Sequence, residues 1–458
     1  MQAAVQLPPA RMKQDVSLSM EGEIFVNSYS KKAGILSIFF MGFGQIYNKQ
    51  YVKGILLAAF ELLSILFVLP FVQHGLRGLV TLGETPQTLA EGKIIQGDHS
   101  IFLMVEGVLA LVIFFIFAAL YRINYRDARR VGAYRDEGKP AVSFPVSLKS
   151  LWDKGFPYIM LSPSFAFILF LTVVPILFSM LIAFTDYSSP GHIPPRSLVN
   201  WVGFKTFIDL VKLPMYKTTF GGVFSWTIIW AVLSTFTSFF IGMILAVILE
   251  SNHIRIKKAW RTVLILPWAV PSFVSILVMR NIFNSQFGIV NKLLSVVGIE
   301  PIPWFSDPIW AKVLCIIVNL WLACPYFMAL MSGVLTGISK ELYEASEVEG
   351  ANKAQQFYKI TFPLVMFSTA PLLIMSFANN FNNFGLIYFL TNGNPVNMDY
   401  QYAGSTDILL SWMYKMTLEY SQFNKASAVS ILIFIVLAVI SIFNFRNTRA
   451  YKEEDMVQ

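Results

Sequence analysis

Two apolar segments of the chain carry uncharged polar side chains at helical spacing. In the segment 309–336, positions i, i+3, i+4 and i+7 of one helical face hold Asn319, Leu322, Ala323 and Tyr326. In the segment 361–390, a second face holds Ser376, Asn380 and Asn383, with Asn379 and Asn382 beside it. Amide side chains are costly in lipid, so both faces should meet protein or a water-filled cavity.

These side chains have the chemistry to bind a neutral sugar. An asparagine amide donates and accepts hydrogen bonds, which suits sugar hydroxyls, and the ring of Tyr326 can stack on a pyranose face. The alternative is that the amides join one helix to another, with about 0.6 kcal/mol for each pair. Helical spacing by itself leaves both interpretations open.

Two carboxylates inside apolar segments, Glu61 and Glu106, offer a different chemistry. An ion-coupled carrier that acts alone would use such a group, but neither has an obvious basic partner in the sequence, which favours a structural role. Cys315 and Cys324 lie nine residues apart in one apolar segment, and we interpret them as small core residues. No catalytic residue and no metal site are therefore expected.

The elements that must position these residues are membrane-spanning helices. Of 458 residues, 55% are hydrophobic and 14% are charged, against about 25% charged in ordinary soluble domains. The stretch 33–48 is apolar but short, which predicts an interfacial or re-entrant helix. Eight segments have the roughly 20 apolar residues that a span needs: 52–73, 101–121, 160–184, 223–249, 262–282, 309–336, 361–390 and 427–445. The sequence thus predicts an all-α polytopic membrane protein with about eight transmembrane helices and a short N-terminal interfacial helix.

Basic residues in the connecting segments predict the orientation of the helices. They cluster at 31–32, at 122–135, at 253–261 and in the C-terminal FRNTRAYK, which all fall on one side of eight spans. That side should be the cytoplasm and should hold both termini, and this placement explains the net charge of +8 without nucleic acid. The loops expected outside are 74–100, 185–222, 283–308 and 391–426. The first 25 residues have no apolar core, so we do not expect a cleaved signal peptide.

A polar stretch, EASEVEGANKAQQFYKITFP at 344–363, separates two of the most apolar segments on the expected cytoplasmic side. Ser339 should cap a helix over 341–349, and Gly350 permits a sharp turn. A second short helix should follow over 351–360, before the next span.

One side of this stretch should rest on the helix bundle through Leu342, Ala345 and Val348. The charged Glu341, Glu344 and Lys353 should point outward. Two angled helices of this kind could dock in a groove of a partner or could be a plain amphipathic connector. The residues of the stretch favour the two interpretations equally.

The motif E-A-S-x-x-x-G at 344–350, followed by I-T-F-P at 360–363, resembles the EAA loop of ABC importer permeases. The segments NLWLACPYFMALMSGVLTGISKELYEASEVEGA, SFANNFNNFGLIYFLTNGNP and AGSTDILLSWMYKM are similar to the MalF-type permease subunit of maltose/maltodextrin ABC importers. The resemblance implies the ABC importer permease fold and a coupling helix that docks in a cleft of a cytoplasmic ATPase. The coupling residues it implies are Glu344, Ala345, Ser346, Gly350 and Pro363, and Ser346 stands where the motif has a second alanine.

The same resemblance implies that the two amide faces contact sugar. The positions carried over from the family are Asn319, Leu322, Ala323, Tyr326, Ser376, Asn379, Asn380 and Asn383. The family has glycine where Ala323 stands and phenylalanine where Asn379 stands, which bears on the exact sugar but leaves an uncharged polar pocket.

The resemblance further implies a multi-pass permease subunit of a bacterial plasma membrane, with ATP and magnesium bound by a partner and no cofactor of its own. This chain lacks a Walker-type G-x-x-x-x-G-K-[ST] loop. The expected partners are a second homologous permease, a cytoplasmic ABC ATPase dimer, an extracellular sugar-binding protein, a neutral oligosaccharide and the lipid bilayer, with no nucleic acid.

Maltose or a maltodextrin is the expected sugar, and raffinose or a galacto-oligosaccharide is the alternative. An ion-coupled secondary carrier and a non-transporting membrane scaffold are the rivals from other classes.

The expected organisation has four parts. They are a cytoplasmic N-terminal segment (1–50), the first two spans with a basic linker (51–150), the permease core with its coupling loop at 339–361 (151–450) and a cytoplasmic tail (451–458). Enterobacterial relatives carry a large extracellular domain between the third and fourth spans, whereas the interval here, 185–222, is only a loop.

Overall fold

The computed structural model describes residues 28–90, 93–193, 197–250 and 254–447. Expectations for residues 1–27 and for the tail 451–458 lie outside the described residues.

The fold is helical, as predicted, apart from one short antiparallel pair of strands. The strands are β1 (Thr88–Ala90) and β2 (Lys93–Ile95), which pair Thr88 with Ile95. The helices of the N-terminal half are α1 (Ser28–Phe39), α2 (Phe43–Tyr47), α3 (Tyr51–Thr81), α4 (Ser100–Asp136), α5 (Phe144–Ile168, continued by a π turn to Ile182), α6 (Lys205–Lys212) and α7 (Pro214–Glu250). The remaining helices are α8 (Lys257–Ala269), α9 (Ser272–Ile282), α10 (Ile289–Val296), α11 (Pro308–Thr336), α12 (Lys340–Val348), α13 (Lys353–Phe381), α14 (Phe384–Leu390), α15 (Leu409–Leu418) and α16 (Phe423–Asn447).

Seven helices within the described residues are long and apolar enough to cross a membrane. They are α3, α4, α5, α7, α11, α13 and α16, and the bent pair α8–α9 makes eight if it is one span. Each of the eight predicted apolar segments therefore corresponds to one of these elements. The short α1 and α2, at 12 and 5 residues, fall below the roughly 20 residues that a span needs.

The structure corrects three of the predicted boundaries. The segment 262–282 is bent by 96° between α8 and α9, where Pro271 interrupts the backbone hydrogen bonding. The segment 361–390 ends its long helix at Phe381 and restarts at Phe384. The basic segment 122–135, predicted as a loop, is the second half of α4, and its five arginines and two alanines have high helix propensity.

The chain divides into two compact units, Met1–Leu181 with Pro195–Asn200 and Ile182–Pro194 with Trp201–Gln458. In the first unit, the N-terminal helices pack against the basic half of α4 through buried amides. Gln45 Nε2 donates to Asp127 Oδ2 at 3.1 Å, and Asn48 Nδ2 donates to the carbonyl of Ala128 at 2.8 Å. Lys53 Nζ lies 2.8 Å from the Asp127 carboxylate. These contacts hold α2 and the start of α3 on the side of α4.

In the second unit, α7 and α11 form the centre of the helix packing. The apolar core between them includes Trp230, Phe239, Val318 and Phe327, all fully buried. A Cβ on Gly242 of α7 would lie 2.5 Å from the Cβ of Phe327, so glycine is needed for this close approach, as at many helix pairs in membranes.

The connection between α14 and α15 is held by a buried ion pair. Lys415 Nζ lies 2.7 Å from Asp407 Oδ2, and both side chains are buried. The Ser411 hydroxyl and the Gly404 N–H also donate to this carboxylate, each at 2.7 Å. The carboxylate is thus fully hydrogen-bonded, which is what a buried charge needs to be tolerated.

Candidate functional site

The predicted polar face of α11 lies on one continuous helix, as its spacing requires. Asn319 is buried, Leu322 and Ala323 are half-buried, and Tyr326 is 39% exposed. Tyr326 lies beside Trp268 of α8, with 6.4 Å between the ring centroids. This face therefore combines a buried amide with an accessible aromatic pair.

The predicted face of 361–390 is divided by the helix break after Phe381. Ser376, Asn379 and Asn380 belong to α13, whereas Asn383 caps the start of α14 and accepts from the N–H of Leu386 at 3.3 Å. The i, i+4, i+7 relation therefore fails at its last member. The break itself has a local cause, since asparagine side chains compete for backbone hydrogen bonds and favour helix ends.

Asn383 and Asn319 come together across the two helices. Asn383 Nδ2 donates to Asn319 Oδ1 at 3.3 Å. The Asn319 Nδ2 group is buried and has no hydrogen-bond partner among the described residues. A buried N–H that lacks an acceptor costs about 1–3 kcal/mol, so this amide requires an acceptor that the described residues do not supply.

Asn380, in contrast, turns toward α7. Its Nδ2 donates to Thr235 Oγ1 at 3.0 Å, and its backbone carbonyl accepts from Trp230 Nε1 at 2.8 Å. Asn380 is buried, whereas Asn379 on the same turn is exposed and Ser376 is half-buried. The geometry of Asn380 is that of a helix-to-helix link rather than of an open binding surface.

Two residues of this region were missed by sequence reasoning. Thr235 lies in an apolar span 145 residues before Asn380, and no local signal connects the two. Trp268 stands between Pro267 and Pro271, which mark the bend in α8–α9, so the prolines offered a signal that the bend could expose an aromatic ring.

The elbow, defined here as residues 339–361, begins as its sequence predicts. Ser339 caps α12 by accepting from the N–H of Glu341 at 3.2 Å. Gly350 has a φ of +82°. The N–H of Gly350 donates to Glu347 O at 3.0 Å, and that of Ala351 donates to Ser346 O at 2.9 Å, which is the Schellman pattern of a glycine-terminated helix.

The second arm of the elbow differs from its prediction. The chain does not form a separate helix over 351–360. Helix α13 begins at Lys353 and passes through a π turn at Phe357–Thr361 directly into the span. Pro363 lies in the first turn after this π turn, where the wider turn accommodates the missing N–H and the proline ring.

A hydrogen-bond cluster locks the two arms of the elbow together. Gln356 is buried, and its Nε2 donates to Ser346 Oγ at 2.9 Å and to Tyr343 O at 3.2 Å. The hydroxyls of Tyr343 and Thr361 lie 2.9 Å apart. Ser346, where the motif has alanine, therefore has a specific partner in this chain.

An ion pair closes the outer side of the elbow. Lys353 Nζ lies 2.5 Å from Glu347 Oε1, and this hydrogen-bonded ammonium holds the pKa of the Glu347 carboxyl below its ordinary value. Both groups are solvent-exposed, so this ion pair should contribute little to the stability of the elbow.

The sequence predicts that the apolar side of α12 rests on the helix bundle, and this prediction is wrong for the bundle of this chain. Val348 is 91% exposed, Leu342 is 47% exposed, and Ala345 and Glu344 are also exposed. The inward side is formed instead by Tyr343 and Ser346, because the turn at Gly350 directs that side toward Gln356. An apolar strip is thus left open on the elbow.

The family of binding-protein-dependent transport system inner membrane components matches residues 238–449, which include the elbow and both amide faces. The galactooligosaccharides transport system permease protein GanP of Bacillus subtilis is 38% identical over 93% of this chain and 99% of its own length. The chain belongs to this permease family.

Two further relatives are also named as permease proteins of sugar transport systems. The maltodextrin transport system permease protein MdxF of Bacillus subtilis is 37% identical over 93% of this chain and 98% of its own length. The maltose/maltodextrin transport system permease protein MalF of Escherichia coli (strain K12) is 41% identical, over 54% of this chain and 49% of its own length. The permease is accordingly a transport subunit and not an enzyme.

A solved structure has the same fold. A bacterial ABC transporter involved in the import of the acidic polysaccharide alginate matches with a TM-score of 0.54 at 21% identity, and covers 66% of this chain and 99% of that chain. The permease therefore has the fold of ABC importer permeases and is a multi-pass membrane protein.

The intramembrane carboxylates of the permease have structural contacts. The Glu61 carboxylate accepts a hydrogen bond from the backbone N–H of Met41, at the break between α1 and α2. Glu106 lies 3.6 Å from His74 on the neighbouring span. The Glu61 contact fits the structural role favoured by the sequence, whereas Glu106 has in His74 a basic partner that the sequence did not reveal.

Proposed function

We propose that this permease forms half of the translocation pathway for a neutral oligosaccharide, with maltodextrins as its substrates. The observation that carries the proposal is the Asn319–Asn383 pair, whose buried Asn319 Nδ2 has no acceptor among the described residues. The relatives named above transport maltodextrins or galactooligosaccharides, and both substrates are uncharged.

The chemistry of the two faces suits such a ligand. A sugar hydroxyl can accept from Asn319 Nδ2 and donate to an amide oxygen. The exposed edge of the Tyr326–Trp268 pair offers an apolar ring surface for a pyranose face. No charged residue occurs in 360–390 or 313–336, so nothing on these segments favours an acidic sugar.

We further propose that the elbow is the coupling element of the permease. The open apolar strip of Leu342 and Val348 is suited to a cleft of a cytoplasmic ATPase dimer, which binds ATP and magnesium. The Gln356 cluster keeps the two arms at a constant angle, so displacement of α12 is transmitted to α13. A second homologous permease and an extracellular sugar-binding protein complete the assembly.

Substitutions of the pathway residues in the assembled importer test the proposal. Asn319→Ala and Tyr326→Ala should each reduce maltodextrin uptake severalfold while basal ATP hydrolysis persists. Asn281→Ala, an exposed asparagine at the end of α9, is the matched control. Uptake kinetics unchanged in both pathway variants would assign these residues to helix packing.

The identity of the sugar is tested separately by thermal shift. The purified assembly with its binding protein is heated with maltotriose, raffinose or a galactooligosaccharide. Stabilisation by maltotriose alone supports maltodextrins, and stabilisation by a galactooligosaccharide alone replaces them with the alternative.

A further inference from the structure

A groove of about 420 Å³ runs along an exposed side of α4 in the first unit. Its walls are Ile38 of α1 and a stripe of α4 that begins at Phe114 and Phe117 and ends at Arg122 and Tyr125. The volume lies within the range of about 300–1,000 Å³ that is typical of ligand sites. None of these residues belongs to the pathway or the elbow.

The stripe crosses the boundary between the apolar and the basic half of α4. From Phe114 to Tyr125 it extends about 16 Å along the helix axis. The Phe114 end is apolar and lies within the predicted span, whereas Arg122 is the first of five arginines in 122–135. The groove therefore passes from the depth of the hydrocarbon to the level of the lipid headgroups.

The N-terminal helices build one wall of this groove. The Tyr121 hydroxyl donates to the carbonyl of Ile38 at 2.7 Å, which ties the end of α1 to α4. Ile35, Ile38 and Phe39 are all more than half exposed, so α1 presents apolar side chains to the surroundings. This wall gives the groove depth that α4 would not have by itself.

The basic end of the groove has unpaired charge. Arg122 lines the groove, and Arg126 lies one helical turn beyond it; both are exposed and have no ion-pair partner among the described residues. The other three arginines of 122–135 have contacts with neutral groups: Arg129 Nη1 donates to the Tyr125 hydroxyl at 3.4 Å, Arg130 lies over the ring of Tyr134, and Arg135 donates to the carbonyl of Tyr47 at 2.6 Å. A guanidinium binds phosphate oxygens through two parallel hydrogen bonds.

We propose that this groove binds an anionic phospholipid. One acyl chain lies against Phe114, Phe117 and Ile38, and the phosphate of the headgroup meets Arg122 and Arg126. Charge complementarity selects this occupant, since a neutral helix would leave both guanidinium groups without a counterion at the membrane surface. The bound lipid fastens the N-terminal helices to α4.

Native mass spectrometry of the assembled importer tests the proposal, with phosphatidylglycerol and phosphatidylcholine as probes. Phosphatidylglycerol should bind in preference to phosphatidylcholine. Arg122→Gln should weaken phosphatidylglycerol binding about fivefold, the equivalent of one basic residue at an anionic surface. Arg130→Gln removes an arginine outside the groove and should leave binding unchanged.

A second pair of variants tests the acyl-chain wall. Ala118 lines the groove and Ala119 does not, and both are exposed. Ala118→Phe should fill the groove and release the lipid, whereas Ala119→Phe should not. Equal binding by wild type and Arg122→Gln, equal binding by the two phenylalanine variants, or a partner helix seated in the groove in a solved assembly would each overturn the proposal.

Discussion

Substitutions of Gly350 can distinguish the effect of backbone strain in the elbow from the effect of side-chain bulk. Its φ of +82° lies in the left-handed region, and an added Cβ would meet nothing within 4 Å. A substitution therefore introduces no clash within this chain, and its cost is conformational. That cost is about 1–2 kcal/mol for most L-residues, smaller for asparagine and larger for a β-branched residue.

The free-energy cost of this strain is comparable to the stabilisation that the hydrogen bonds of the turn provide. The two backbone hydrogen bonds of the Schellman pattern, from Gly350 and Ala351, contribute about 1 kcal/mol each. A cost of 1–2 kcal/mol should lower the population of the native elbow about 5- to 30-fold relative to opened forms. Sugar uptake for each ATP hydrolysed should consequently fall in the order wild type, Gly350→Asn, Gly350→Ala, Gly350→Val.

The assay is sugar-stimulated ATP hydrolysis and uptake by the assembled importer in proteoliposomes, after the amount of subunit in the membrane has been equalised. Gly333→Ala is the control, because its Cβ also meets nothing within 4 Å but its helical backbone accepts alanine readily. If Gly350→Asn couples worse than Gly350→Ala, side-chain bulk against the partner decides the effect. If Gly350→Val couples like wild type, the elbow turn is not needed and the reasoning fails.

Three further substitutions follow from contacts described above. Gln356→Leu keeps the volume but removes the cluster that joins the elbow arms, so sugar-stimulated ATP hydrolysis should fall while the complex still assembles; unaltered stimulation would contradict a locked elbow. Asn380→Ala leaves the hydroxyl of Thr235 without its partner and should destabilise the complex by about 1–3 kcal/mol, seen as a lower melting temperature with an unchanged KM for uptake; a raised KM would place it in the pathway. Asp407→Asn leaves Lys415 buried without its counterion and should cost about 3–5 kcal/mol, and an unchanged melting temperature would argue against the buried pair.

The start of the elbow was predictable because its determinants are local. The cap at Ser339 and the turn at Gly350 each depend on a few neighbouring residues and on the backbone freedom of one glycine. The eight apolar segments were predictable for a related reason, since the thickness of the bilayer imposes a length on each of them.

The roles of the asparagines were not predictable from spacing. Helical periodicity grouped Asn380 with Asn383, but the helix ends at Phe381, so one amide turns to Thr235 and the other to Asn319. Likewise, the apolar residues of α12 were expected to pack inward, and the turn at Gly350 instead leaves Val348 exposed.

By itself the sequence determined that this is a polytopic helical membrane protein with a polar elbow and uncharged amide-bearing spans, because hydropathy, caps and turns act over a few residues. Only the tertiary structure decided which face of each helix meets which neighbour. Contacts such as Trp268 with Tyr326, or Gln356 with Ser346, depend on a bend or a helix continuation elsewhere in the chain. Long-range packing selects among the faces that local periodicity permits, and so it gives the Asn380 amide a partner on another helix but leaves Asn319 Nδ2 without a partner among the described residues.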